Sequence, residues 1–221
     1  MRRVRVRLAV WIVLLVVATA AFAFVALPRD GGNPFRAYVA APLVPGVGLG
    51  DLHVGATALG AFLERFGVGR PAALYGDDTA LEFAFPRAGL TFTFVAGGDC
   101  IRIVQAMAGT GLRALRSPRA FVRDQPACAA TPLDRVEVAA ARAPRDTFWR
   151  GATPLGIALH LDRADALERL GYAPDRAPDA DRAPPERWFD PAGMQVDFGP
   201  ATTGDAEAAW VVERLTVTQA R

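Results

Sequence analysis

The chain contains no lysine and only one serine, Ser117. The first absence removes a P-loop lysine and a Schiff-base lysine, and the second removes the nucleophile of a Gly-x-Ser-x-Gly elbow. Histidine is nearly missing as well. His53 and His160 are the two present, each among apolar neighbours and neither with Cys or carboxylate at ligand spacing, so no metal, cofactor or catalytic residue is expected from them. Surplus positive charge is also absent. Four of the 25 basic residues, Arg2, Arg3, Arg5 and Arg7, crowd the first seven positions, which leaves the rest of the chain about two charges negative against 23 acids. A nucleic-acid partner normally needs a strong basic surplus, so none is expected.

What the chain does have begins with a long apolar run. Leu8 to Leu27 carries no charge and only Thr19 as a polar group, long enough to cross a bilayer core as a helix, and the arginines before it place its N-terminus in the cytoplasm. Residues 1–27 therefore read as a membrane anchor, with the remainder outside the inner membrane. The alternative is a cleaved signal, since Ala18-Thr19-Ala20 and Ala21-Phe22-Ala23 are small-x-small sites; the product would then be periplasmic or secreted. Residues 28–45 are rich in Pro, Gly and Ala without a sustained period and read as a tether.

Beyond the tether the sequence repeats itself. Phe85-Pro86-Arg87-Ala88-Gly89-Leu90-Thr91-Phe92-Thr93-Phe94 is echoed by Phe189-Asp190-Pro191-Ala192-Gly193-Met194-Gln195-Val196-Asp197-Phe198, and the same spacing carries Glu64-Arg65-Phe66-Gly67 onto Glu168-Arg169-Leu170-Gly171. A helix end and a hairpin recur in the same order, which predicts two tandem α+β units, 46–109 and 153–221, each a helix packed on an antiparallel sheet and the two set side by side through their sheets, behind a transmembrane helix. In the first unit Thr57 is the expected cap of a helix whose apolar face is Leu59, Phe62, Leu63 and Phe66, ended by Gly67. Leu81, Phe83 and Phe85, then Leu90, Phe92 and Phe94, alternate as half-buried strands. Ile101 and Ile103 suggest a third. In the second unit Asp162 is the expected cap, Ala164, Leu167 and Leu170 the buried face, and strands are expected at 187–189, 194–198 and 210–217. Residues 110–152 match neither unit and read as a connector.

Leu52-His53-Val54-Gly55-Ala56-Thr57 with Phe66-Gly67 and Pro71, and more loosely Ile157 to Asp162 with Leu170-Gly171 and Pro174, resembles the helix motif of the SmpA/OmlA-type outer-membrane assembly lipoproteins. The tandem plan is similar to that of the β-lactamase inhibitory proteins. The resemblance implies a helical layer on an antiparallel sheet and a role in binding other proteins rather than in catalysis. This chain has no cysteine directly following its apolar segment and so lacks the lipidation site of the lipoproteins.

The candidate functional residues are few. Cys100 and Cys128, the only cysteines, lie beyond the apolar segment in a disulfide-permissive compartment and are expected to pair; zinc would need further ligands that no nearby residue supplies. Asp179, Asp181 and Asp190 faintly resemble a calcium loop, but Pro184 stands where an EF-hand needs glycine, and a solvated loop is the better reading. Trp188 and Phe189, with Arg113, Arg116, Arg119 and Arg123 of the connector, are the candidate anchors of a protein interface; Trp149 and Trp210 serve either the core or that face. The function expected is a membrane-anchored extracytoplasmic module that binds an unknown envelope protein. The alternative is an extracytoplasmic enzyme using a carboxylate or histidine site that the sequence does not mark.

Overall fold

The computed structural model describes residues 34–67, 73–76, 79–108, 118–142, 144–171, 187–190, 192–200 and 210–219. Met1–Arg36 and Ala37–Arg221 are separate compact units, and every strand and helix named here belongs to the second. The fold is α+β. A small antiparallel sheet joins β1 (Leu43–Val44), β2 (Gly48–Leu49) and β3 (Leu52–His53). The main sheet has seven strands in the order β4-β5-β6-β7-β10-β9-β8, all antiparallel: β4 is Ala73–Gly76, β5 Ala80–Phe85, β6 Leu90–Val95, β7 Leu133–Ala139, β8 Arg187–Asp190, β9 Met194–Pro200 and β10 Trp210–Thr218.

This corrects the expectation of two side-by-side units, each a helix packed on an antiparallel sheet, behind a transmembrane helix. The two echoes lie in one sheet, joined where β7 pairs with β10. Among the described residues no helix is long and apolar enough to cross a membrane; Leu8 to Leu27 lies outside them. The reason for the single sheet lies in residues 110–152, expected to be a connector. It contains β7, whose buried residues Leu133, Val136 and Val138 break strict alternation, because the ladder to β6 shifts between Thr93 and Phe94. That bulge at Asp134 hides the strand from a search for period two. A second correction concerns Ile101. The run from Gly98 to Ala108 is a helix, α2, and not a third strand; Ile101, Val104 and Met107 are buried at three-residue intervals, a helical spacing that outweighs the Ile101/Ile103 alternation.

The helical layer starts with α1, Leu59–Phe66, whose buried face is Leu59, Phe62, Leu63 and Phe66 and whose C-terminus is Gly67 at φ 78°. Ala58 is its cap residue. Thr57 instead accepts the His53 amide on Oγ1 at 2.8 Å, bracing the turn before the helix. Phe62 is the centre of the core, with ring centroids 4.7 to 5.3 Å from Phe66, Phe92, Phe83 and Phe94. Two short helices, α3 (Pro118–Asp124) and α4 (Pro126–Ala129), pack on α1. Gly60 permits this, since a Cβ there would lie 2.8 Å from Val122 Cγ2 and 3.0 Å from Ala129 Cβ. Over the second half α5 (Arg163–Arg169) packs against β10 with Ala166 and Leu167 buried, while Ala164 is exposed.

Segments outside the helices close the core. Arg150 N donates to Val39 O at 2.6 Å and Leu43 N to Ala152 O at 3.3 Å, and the buried Trp149 donates Nε1–H to Ala41 O at 2.8 Å. Tyr38 and Leu43, from the stretch expected to be a tether, are thus part of the folded body.

Candidate functional site

Because successive strand residues face opposite ways, the register divides the sheet into two chemistries. One face is the core, with Leu81, Phe83, Phe85, Leu90, Phe92, Phe94, Val136, Val138, Val196, Phe198, Leu215 and Val217 all buried. The other is polar. One cross-strand row runs Thr91, Glu137, Thr216, Gln195, and a neighbouring one runs Glu82, Thr93, Arg135, Thr218. Thr93, Thr216 and Asp197 are buried, and Glu82, Thr91, Arg135, Glu137, Gln195 and Arg214 are half-buried. A face of threonine, carboxylate and arginine belongs to solvent or to a partner and not to a hydrophobic layer.

The charges concentrate at the seam between β7 and β10. Glu137 Oε1 lies 3.3 Å from Arg214 Nε. Burial pushes the Glu137 carboxyl above the usual glutamate range; Arg214 opposes that, and Asp197 adds to it. Gln195 Nε2 donates to Asp197 Oδ1 at 2.8 Å. Beside them Asp197, Trp210, Glu213 and Arg214 line an open cleft of about 560 Å³ with Phe198, Gly199 and Pro200. Glu213 is the extra residue of a bulge, since the β9–β10 register jumps from Val212 to Arg214. Without that jump Val212 and Arg214 would share a face; with it, Val212 stays in the core and Arg214 reaches the polar face.

The seam also exposes a part of the repeat that a single constant spacing misses. Leu133-Asp134-Arg135-Val136-Glu137-Val138 on β7 matches Val212-Glu213-Arg214-Leu215-Thr216-Val217 on β10, with the bulge at the acid in both. Leu90 and Met194, Thr91 and Gln195, Phe92 and Val196, and Thr93 and Asp197 are their equivalent neighbours on β6 and β9. The helices between β6 and β7 lengthen the first copy, so this echo falls at a different offset from that of the hairpins.

Two smaller polar clusters lie off this face. His160, at φ 63°, has Nε2 2.6 Å from Thr147 Oγ1, which also accepts the Ala141 amide at 3.1 Å. The His160 amide donates to Val212 O at 2.8 Å, pinning this strap to β10. Burial lowers the His160 pKa and so favours the neutral ring. Tyr38 donates to Asp51 Oδ1 at 2.7 Å and Arg65 Nη1 lies 2.6 Å from Oδ2; these contacts, the Tyr38 bond foremost, hold the Asp51 carboxyl below its usual range. Both clusters tie segments together and neither opens on a large cavity.

The residues expected as anchors are dispersed. Arg119 and Arg123 are exposed on α3 in the helical layer, Arg123 with its Nε 2.8 Å from Asp124 Oδ1. Arg113 and Arg116 lie outside the described residues, as do Asp179, Asp181 and Pro184. Trp188 and Phe189 are on β8, the last strand at one end of the sheet, in register with Val196 and Gln195, and Asp190 is in register with Met194. His53 is exposed, its Nε2 3.2 Å from Gly50 O. Cys100, in α2, is disulfide-bonded to Cys128, in α4, with Cα atoms 5.4 Å apart. Among the described residues no group of three or more His, Cys, Asp or Glu is placed to hold a metal. Comparisons with protein-family models, curated proteins and solved structures gave no match to this chain.

Proposed function

We propose that this protein is an extracytoplasmic binding module that grips a protein partner with the polar face of its seven-stranded sheet. The single observation that carries the reading is the contrast between the two faces. One is sealed by the phenylalanine core and the helical layer, while the other runs across both repeat halves with half-buried Glu82, Arg135, Glu137, Gln195 and Arg214 directed to no covering layer of helices among the described residues. A rigid sheet is a good platform for such side chains, because its backbone need not reorganise on association. Export is supported by the arginines and apolar run at the N-terminus and by a disulfide that belongs to an oxidising compartment.

A photo-crosslinking amino acid placed at Thr91 or Gln195 on the polar face, and at Glu64 or Glu168 on the outer surface of α1 or α5, tests this in cells. Light-dependent adducts are expected from the sheet positions and not from the helix positions. Adducts from the helices alone would discard the polar face as the docking surface.

A further inference from the structure

The seam is self-complementary. Across it Val138 pairs with Leu215 and Val136 with Val217. Under the equivalence of β7 and β10, Val138 corresponds to Val217 and Val136 to Leu215, so each pair maps onto the other, and Glu137 opposite Thr216 marks a local twofold axis. Arg135 and Arg214 are therefore twins on either side of that axis. Arg214 reaches across it to a carboxylate, Glu137. The position that Arg135 would meet by the same symmetry is 216, which is threonine.

Arg135 has Glu137 within electrostatic reach but no acid in contact with it among the described residues. Its Nε is shielded from solvent and has no hydrogen-bond partner, and among the described residues it makes no ion pair. Arg214 Nε also falls outside strict hydrogen-bond geometry, yet it has a carboxylate at 3.3 Å. Three acids share the polar face with Arg135, of which Asp197 lies beside Arg214 on β9. Glu137, two positions along β7, is the ion-pair partner of Arg214, and Glu82 lies two strands away beyond Thr93. A shielded Nε–H without an acceptor is costly, and buried polar groups are otherwise almost always satisfied.

Building on the polar-face reading above, we propose that Arg135 is the docking point for the carboxylate of an acidic side chain on the protein partner. The choice of carboxylate follows from the molecule itself, because the twin site solves the same geometry with glutamate. The guanidinium fork also matches a planar carboxylate in a way that an ammonium group would not. Thr93 and Thr218 flank Arg135 in the cross-strand row; the acid two positions along its own strand, Glu137, is engaged by Arg214, which offsets part of its repulsion of an incoming carboxylate.

The test uses the full-length chain in detergent, with side-chain Nε–H signals of arginine followed by NMR as N-acetyl-Gly-Glu-Gly-amide is added. A saturable shift of the Arg135 signal is expected, with binding at least about tenfold weaker for the Gln peptide. A response only to a peptide with a free C-terminal carboxylate would overturn the side-chain assignment, and equal responses to the Glu and Gln peptides would overturn the carboxylate. Arg135→Met should abolish the shift while leaving the thermal midpoint unchanged or higher. Arg214→Met, which strands Glu137, should lower the midpoint. If Arg135→Met lowers it equally, Arg135 is a structural residue and the inference fails. Photo-adducts from Thr91 and Gln195 that persist undiminished in Arg135→Met would sink this inference alone, whereas their absence from the parent protein would sink the polar-face reading.

Discussion

Glu137 and Arg214 meet across the seam, Oε1 to Nε at 3.3 Å, and so tie the last strand of the first echo to the last strand of the second. The Glu137 side chain is 23% exposed, and burial raises its pKa above the value it has when unfolded. A raised carboxyl favours folding when protonated. That contribution is present below the unfolded pKa and is lost as pH rises through the folded one. Glu137→Gln should therefore flatten the decline of stability that sets in as pH rises above about 4.5, as read from urea unfolding at several pH values. An unchanged profile would show that the carboxyl titrates alike in both states.

His160 has the opposite sign. Its folded pKa is lowered by burial, so the unfolded chain takes up the proton first and stability present above the ordinary histidine pKa is lost as pH falls through the folded one. Asparagine tolerates the φ of 63° better than most residues. His160→Asn should remove the loss of stability that sets in as pH falls below the ordinary histidine value of about 6.5, while leaving intact the Glu137 contribution, which changes with pH in the opposite sense. Thermal unfolding across that range distinguishes the two groups.

The disulfide closes a loop with a sequence separation of 28. Chain-entropy arguments give a stabilisation of about 3 to 4 kcal/mol for a loop of this size. The Cys100→Ser, Cys128→Ser double variant should lose that much in denaturant unfolding, and denatured, unreduced parent protein should show no reactive thiol.

Phe62→Ala should be among the most damaging single changes. Four aromatic rings lie within 5.3 Å of its centroid, and the cavity they would surround predicts a loss of about 3 to 5 kcal/mol. A loss under about 1 kcal/mol, measured by urea unfolding, would mean that the phenylalanine cluster collapses to fill the space.

What could be read from the sequence follows how regular each element is. The α1 face and the β5–β6 hairpin were legible because Leu59, Phe62, Leu63 and Phe66, and then Leu81 to Phe94, keep strict periods and end in glycines, Gly67 and Gly89, at positive φ. The second hairpin was legible by its likeness to the first. Of the third strands, β10 was read at 210–217 and runs from Trp210 to Thr218, whereas β7 was missed. On β7 and β10 the bulges at Asp134 and Glu213 shift the alternation by one, and the helices inserted before β7 change the spacing of the echo. The candidate site shares that obscurity, since Arg135, Glu137 and Arg214 all sit on those strands. Aromatic content pointed instead to Trp188 and Phe189, although a polar sheet face carries its information in the residues between the apolar ones.

The self-complementary seam has a consequence for how the molecule could be assembled. Two identical half-length chains bearing such a strand would each present the other with its own mirror role, and their meeting would depend on concentration. Carrying both halves on one chain makes the encounter intramolecular, with an effective concentration set by the connecting segment. It also releases each half from having to be identical to the other. Glu137 opposite Thr216 is what that freedom looks like at the axis: a residue that in a true homodimer would have to face itself, glutamate against glutamate, is here free to differ from its twin.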